Sequence, residues 1–275
     1  MLKQRVITAL ILAPLVLAGL FGLEERGFSW FVAGVVLLGA WEWANFAGIP
    51  AQMGRCIYAA VVGAVLYLVS GVPASFVLGV ALVWWLLAIA LVAGYPNRFE
   101  LWKSPRMIAV MGLFVLVPFW KAMVVVRASS LSVAPELSVL WVILYMLLMV
   151  WAADIGAYFA GKAWGKAKLA PNVSPGKSWA GAWGGVASVT LLALIAGLAI
   201  ELSLGQLTLL LVASGITAVI SIYGDLLESM LKRHRGIKDS SQLLPGHGGV
   251  MDRIDSLTAA IPVFTSLALF FGWLV

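Results

Sequence analysis

Ser75-Phe76-Val77-Leu78-Gly79-Val80-Ala81-Leu82-Val83-Trp84-Trp85-Leu86-Leu87-Ala88-Ile89-Ala90-Leu91-Val92-Ala93-Gly94-Tyr95 carries no charged side chain from end to end. A bilayer core about 30 Å thick is crossed by roughly 20 apolar residues in helical form, and lipid offers no partner to an open backbone group. A run of this length therefore reads as a transmembrane helix. Similar runs lie near 6–23, 28–46, 57–73, 107–126, 138–160, 178–200, 206–228 and 253–275. The expectation is an all-α, polytopic membrane protein with about nine transmembrane helices. Gly71-Val72-Pro73 is a very short break, so the boundaries on either side of the third helix are the least defined. No internal repeat, low-complexity tract or long linker divides the chain, and 1–275 reads as one integral membrane domain.

Composition supports this. Of 275 residues, 63% are hydrophobic and 11% charged, and the mean hydropathy is +1.03. A soluble domain carries about 25% charged residues, and one of this size has too little interior for so much apolar surface. The net charge is +6, from 18 Lys and Arg against 12 Asp and Glu. Because the charge is confined to loops, it points to anionic lipid heads and phosphate substrates rather than nucleic acid. The single cysteine, Cys56, excludes an internal disulfide and a cysteine-rich metal site.

Met1-Leu2-Lys3-Gln4-Arg5 precedes an apolar run longer than the about 7–15 residues of a signal peptide, with no small-x-small cleavage site after it. The first segment is therefore expected to stay as a transmembrane helix. With the N-terminus cytoplasmic, every Lys and Arg except Arg26, Lys121 and Arg127 falls on the cytoplasmic side. The C-terminus then lies on the outer side of the membrane. Trp84, Trp85, Trp102, Trp164, Trp179 and Trp273, near segment ends, read as interfacial anchors.

Two loops on the basic side are long and polar, about 161–177 and 232–252, and loops of that length in a compact domain are usually functional. Acids gather at the same level. Asp154 lies inside the sixth segment, Asp225 and Glu228 end the eighth, and Asp252 and Asp255 open the ninth. A carboxylate in a transmembrane segment costs roughly 2.5–3.5 kcal/mol, so it has a partner and a purpose. Asp225, Glu228, Ser229 and Lys232 recur on one helix face, with Ser221 a turn earlier; Asp252 and Asp255 share another. Oxygen ligands grouped in this way suit a hard cation such as Mg²⁺. The plainer reading pairs each acid with a neighbour such as Lys232, Arg233 or Arg253.

Leu244-Pro245-Gly246-His247-Gly248-Gly249 reads either as an ordinary turn or, beside Lys238, Arg253 and a helix N-terminus, as a phosphate cradle. Asp154, Tyr158 and Lys162 share a helix face. Ser174 is a candidate N-cap for the seventh helix with Pro175 in its first position. Lys177 would then face an unfavourable dipole that a bound phosphate would relieve. Glu42, in Trp41-Glu42-Trp43, either pairs with a base or lines the site; His234 reads as a solvated or headgroup-facing residue.

The stretch Ser229-Met230-Leu231-Lys232-Arg233, then Lys238-Asp239, then Leu244-Pro245-Gly246-His247-Gly248-Gly249-Val250-Met251-Asp252-Arg253-Ile254-Asp255 resembles the signature of the phosphatidate cytidylyltransferases, or CDP-diacylglycerol synthases. Asp154, Ala157-Tyr158, Gly161-Lys162, Gly165-Lys166 and Ser174-Pro175-Gly176-Lys177-Ser178 are also similar to that family. The resemblance implies an all-helical fold, transfer of the cytidylyl group of CTP to phosphatidate, a requirement for Mg²⁺ with a second cation left open, and a homodimer. The family's metal-binding aspartates match Asp225 and Asp252. On the residues themselves, the chain reads as an N-terminal helical part, 1–130, and a catalytic part, about 138–275, with Asp255 and Glu228 as further ligands or supporting groups and Lys232 and His247 as candidate catalytic residues beside the two aspartates. Lys162, Lys177, Lys232, Lys238 and Arg253 would hold the triphosphate and the lipid phosphate, and Asp154, Ser174, Ser229, Arg233, Asp239, Gly248 and Gly249 are the other candidate substrate-binding residues. Ala180 departs from the family, whose members often carry a polar side chain there. The rival readings are an ion-coupled transporter, since intramembrane acids also line ion paths, and a CTP-dependent transferase acting on another lipid phosphate.

Overall fold

The computed structural model describes residues 2–275, without the side chains of residues 2, 3, 5–7 and 9, so Met1 and the Lys3 and Arg5 side chains of the basic N-terminus lie outside the described residues. The chain forms α1 (Leu2–Gly22), α2 (Glu25–Phe46), α3 (Gln52–Ser70), α4 (Ala74–Ala93), a short 3₁₀ turn (Phe99–Leu101), α5 (Pro105–Ala128), α6 (Leu140–Trp164), β1 (Lys168–Ala170), β2 (Ser174–Ser178), α7 (Trp179–Ala199), α8 (Leu204–Arg235) and α9 (Met251–Phe270). Among the described residues, 8 helices, α2 to α9, are long and apolar enough to cross a membrane. The remaining expected span rests on α1, a helix of 21 residues whose described apolar stretch is Leu10–Gly22. The protein is an all-α polytopic membrane protein.

The helix ends follow local sequence. Ser104 accepts from Met107 N with Pro105 in the first position of α5. Ser203 and Gln206 form a capping box at the start of α8. At its other end Gly236 takes φ +71°, and the N–H groups of Gly236 and Ile237 return to Arg233 and Lys232.

α9 and α5 are the most enclosed spans, with α9 packed against α8, α5 and α4. α6 and α7 approach through small residues. A Cβ added at Gly184 would fall 2.2 Å from the Ala160 methyl, and one at Gly156 would fall 2.1 Å from Ser188 Oγ. Backbones this close gain dispersion contacts that bulky side chains would forbid. In α5, Lys121 is 7% exposed and donates to the last carbonyls of α3, Val69 at 3.2 Å and Ser70 at 2.9 Å. A cation there completes a helix C-terminus.

Three expectations need correction. The ninth segment stops being helical at Phe270. Gly272 takes φ +68°, and the chain end pairs with the α5–α6 connection, with Ser130 N to Val275 O at 2.8 Å and Ser132 N to Trp273 O at 2.8 Å. The loop 161–177 contains a β-hairpin, and Ser174 lies in β2, so it caps nothing. Ser178 is the cap of α7 and accepts from Gly181 N at 3.1 Å. Trp84, Trp85, Trp102 and Trp273 are buried packing groups rather than lipid anchors, Trp84 stacking on Phe114; Trp164 and Trp179 are exposed.

Gly184→Val is expected to force α6 from α7 at about 1–3 kcal/mol. Thermal unfolding in detergent should show it as a lower midpoint than Gly79→Val, a site with nothing within 4 Å.

Candidate active site

Apolar residues carry α8 past the bilayer-length run. Leu226, Leu227, Met230 and Leu231 are buried, so the helix persists to Arg235 and displays its polar face at one end of the bundle. Lys232, Arg233, His234 and Arg235 occupy its last turn, where the dipole favours cations. On that face Ser229 donates to Asp225 Oδ1 at 3.1 Å. Lys232 Nζ lies 2.8 Å from Glu228 Oε2 and 2.7 Å from Asp252 Oδ1 on α9. The Glu228 and Asp252 side chains are 2% and 6% exposed. Charges so enclosed persist when paired and hydrogen-bonded.

The other oxygen of Asp252 is held by the loop before it. Oδ2 accepts from Ser240 N at 2.9 Å, Ser240 Oγ at 2.8 Å and Gly249 N at 2.7 Å. The N–H groups of Val250 and Met251 donate to Glu42 on α2, at 2.9 and 2.6 Å. Three backbone donors of the expected phosphate cradle thus serve the protein's own carboxylates. Gly248, at φ +83°, has no room for a Cβ, which would fall 2.7 Å from Asp252 Oδ2. Glu42 meets neither expectation for it, since it is buried and held by loop donors instead of a base. Ser240 went unremarked in the sequence; its one signal is its place in the long polar loop just after Lys238-Asp239.

The hairpin brings the second lysine. Its strands pair Lys168 with Ser178 and Ala170 with Ser174, and Lys177 Nζ lies 2.6 Å from Asp225 Oδ2. Asp225 thus gives Lys177 a counter-charge beside the start of α7. Arg233 Nε donates to Val173 O at 3.2 Å, tying the hairpin to α8. Beneath lies a cavity of about 260 Å³ bounded by α6, α7, α8, α9 and β2; Asp154, Tyr158, Lys177, Ser221 and Ser256 line it. Asp154 is within electrostatic reach of Asp225, Lys177 and Arg253.

Other expected site residues do not line the cavity. Lys162 is exposed with its ammonium 5.9 Å from the Tyr158 ring. Lys238, Asp239 and Arg253 are exposed. His247 N donates to Leu244 O at 2.8 Å within the turn, and its Nδ1 is buried without a hydrogen-bond partner among the described residues. His234 packs edge-on against Phe99 and Trp102 at ring-centre distances of 4.8 and 5.7 Å, so it faces protein rather than headgroups.

Among the described residues, no group of three or more His, Cys, Asp or Glu is arranged to hold a metal ion. The donors nonetheless fit Mg²⁺ carried with a nucleotide, which takes one or two carboxylates and otherwise phosphate oxygens and water. Glu228 and Asp255 lie within side-chain hydrogen-bonding reach of each other, Asp255 is also within electrostatic reach of Asp225, and Asp225 borders the cavity through Lys177. Asp252 differs, because donors already engage both its oxygens.

An all-helical bundle with acids and lysines gathered about one polar cavity defines a polytopic membrane enzyme. Residues 3–271 match the model of the cytidylyltransferase family, and the chain belongs to that family. It is 50% identical over 275 residues to the phosphatidate cytidylyltransferase of Pseudomonas aeruginosa, covering 99% of each chain. The enzyme of that name from Haemophilus influenzae is 40% identical over 285 residues, covering 96% of this chain and 98% of the relative. That of Brucella suis is 35% identical over 265 residues, covering 94% and 90%.

Lys232→Met would strand two buried carboxylates at a cost of about 3–5 kcal/mol. Lys177→Met, whose partner Asp225 is 29% exposed, should cost about 1 kcal/mol or less. Thermal melts of the two purified variants should rank them in that order.

Proposed function

We propose that the chain transfers the cytidylyl group of CTP to phosphatidate, giving CDP-diacylglycerol and pyrophosphate for phospholipid synthesis. The observation that carries this reading is the pair Lys177–Asp225, 2.6 Å apart, at a cavity walled by membrane-spanning helices. A lipid phosphate and a water-soluble nucleotide can meet at such a place. Family membership and the full-length relatives support it.

A phosphate oxygen of phosphatidate attacks the α-phosphorus of CTP, and the bond to the bridging oxygen of the β-phosphate breaks, so that oxygen leaves with pyrophosphate. The attacking group is already an anion near neutral pH, so no strong base is needed. The chain's work is in-line positioning and neutralisation of charge. Lys177 exchanges its contact with Asp225 for a phosphate oxygen. That frees Asp225 for a cation, with Glu228 and Asp255 beside it. Lys232 stays between Glu228 and Asp252, its positive charge turned toward the site. Lys162, Lys238 and Arg253 draw in the triphosphate and the lipid headgroup, and Asp154 and Ser221 bound the cavity below. Bound Mg²⁺ would supply charge neutralisation across the phosphates.

Several finer points belong to the same proposal. The site end faces the cytoplasm of a bacterial inner membrane, the C-terminus faces the periplasm, and the enzyme works as a homodimer. The N-terminal part, 1–130, braces the catalytic part, about 138–275.

Asp225→Asn is expected to lower turnover by about 100-fold or more while leaving a folded, inserted protein. The assay supplies labelled CTP, Mg²⁺ and phosphatidate to purified protein in detergent and counts label in the organic phase. Wild-type-like turnover in the variant would overturn the assignment of Asp225. Wild-type protein without turnover but with ion flux in liposomes would overturn the enzyme reading.

A further inference from the structure

α9 begins at Val250-Met251 with no side-chain cap of its own. A helix start leaves backbone N–H groups without partners, and a polar residue usually supplies the missing acceptor. Valine cannot. The acceptor comes from α2. Glu42, 0% exposed, accepts from Val250 N and Met251 N, and also from Ser241 Oγ at 2.6 Å and Ser240 Oγ at 3.1 Å. Among the described residues it takes part in no ion pair within 4.0 Å. A bare carboxylate in a buried place is costly unless donors surround it, and here Val250 N, Met251 N and the Ser241 hydroxyl do so, with the Ser240 hydroxyl shared with Asp252 and the positive end of α9 adding to them.

Glu42 also bears on the site. The Ser240 hydroxyl stands between two carboxylates, 3.1 Å from Glu42 Oε2 and 2.8 Å from Asp252 Oδ2. Gly249 closes the same ring. A Cβ there would fall 2.0 Å from Ser240 Oγ and 2.4 Å from Glu42 Oε1, while its N–H holds Asp252 at 2.7 Å. Neighbouring ties fix α2 to the same loop, with Arg235 Nε to Asn45 O at 3.0 Å and Asn45 Nδ2 to Ser240 O at 3.4 Å.

We propose that Glu42 is a positioning residue for cytidylyl transfer, setting Asp252 and, through it, Lys232 by way of Ser240 and Gly249. It touches no substrate. The proposal rests on the reading that CTP and phosphatidate react beside Asp225 and Asp252. It makes the second helix, far from the signature in sequence, a working part of the site.

The test is steady-state kinetics of the full chain in detergent, titrating CTP, phosphatidate and Mg²⁺, for wild type, Glu42→Ala, Ser240→Ala and the double variant. Misplacing a reacting group by an ångström costs up to about 100-fold, so Glu42→Ala should lower kcat at least about tenfold and raise the Mg²⁺ needed for half-maximal rate, with the KM for phosphatidate within about twofold. Ser240→Ala keeps the bonds of Glu42 to α9, so it should show the same split of effects with less loss of thermal stability. Because both act through one relay, the double variant should be no more than about threefold worse than the worse single one. Wild-type kcat and Mg²⁺ dependence in folded Glu42→Ala, or effects that multiply in the double variant, would overturn the proposal. If Glu42→Ala does not fold, wild-type kinetics in Ser240→Ala overturn it instead. Lack of turnover in wild type would strike the proposed function, a result distinct from either.

Discussion

Lys232, held 2.8 Å from Glu228 and 2.7 Å from Asp252, is the contact on which the polar end of the bundle depends. Three polar, titratable groups sit where water barely reaches, and removing Lys232 would leave two carboxyl groups without their shared partner. Because Glu228 and Lys232 belong to α8 and Asp252 to α9, the contact also sets how those helices meet. The close crossing at Gly224, where an added Cβ would fall 2.6 Å from Asp255 O, is compatible with that pairing and with little else. Everything further out is arranged from this core of charge: Asp252 organises Ser240 and Gly249, and Glu42 encloses them.

A second constraint comes from the glycine seam of α6 and α7. Side chains as small as those of Gly156, Ala160, Gly184 and Ser188 let two backbones close up, which sets the width of the cavity beside them. The hairpin that follows α6 folds back over that opening and delivers Lys177 to Asp225. Two lysines thus reach three carboxylates, Lys232 from α8 meeting Glu228 and Asp252, and Lys177 from a strand above the cavity meeting Asp225.

Length and apolarity made the spans legible, because a bilayer requires about 20 apolar residues for a crossing. The common level of Asp154, Asp225, Glu228, Asp252 and Asp255 was legible too, since alternating crossings return each to one end. Helical spacing foretold that Glu228 and Lys232 would meet, but not that Lys232 would also take Asp252, which depends on how two helices pack. The backbone donors around Gly249 were misread for a similar reason. A glycine-rich turn before a helix offers N–H groups to any anion, and sequence alone does not reveal that Glu42, about 200 residues earlier, supplies it. The hairpin and the cap at Ser178 were hidden because Ser174-Pro175 imitates a helix start, and the packing tryptophans because the residues beside a tryptophan in sequence carry no sign of whether it faces lipid or protein.

α3 shows little of itself to the protein interior: Tyr58, Val62 and Leu66 are its buried residues. It is pinned to α5 at two depths, by Tyr58 Oη to Ala109 O at 2.7 Å and by Lys121 to the carbonyls of Val69 and Ser70. At 1.5 Å of rise per residue the pins stand about 18 Å apart along the axis. A helix fastened this way cannot tilt alone when the surrounding bilayer thins or thickens. Hydrophobic mismatch at this edge must instead be absorbed by the lipid, or by α3 and α5 leaning as one plate.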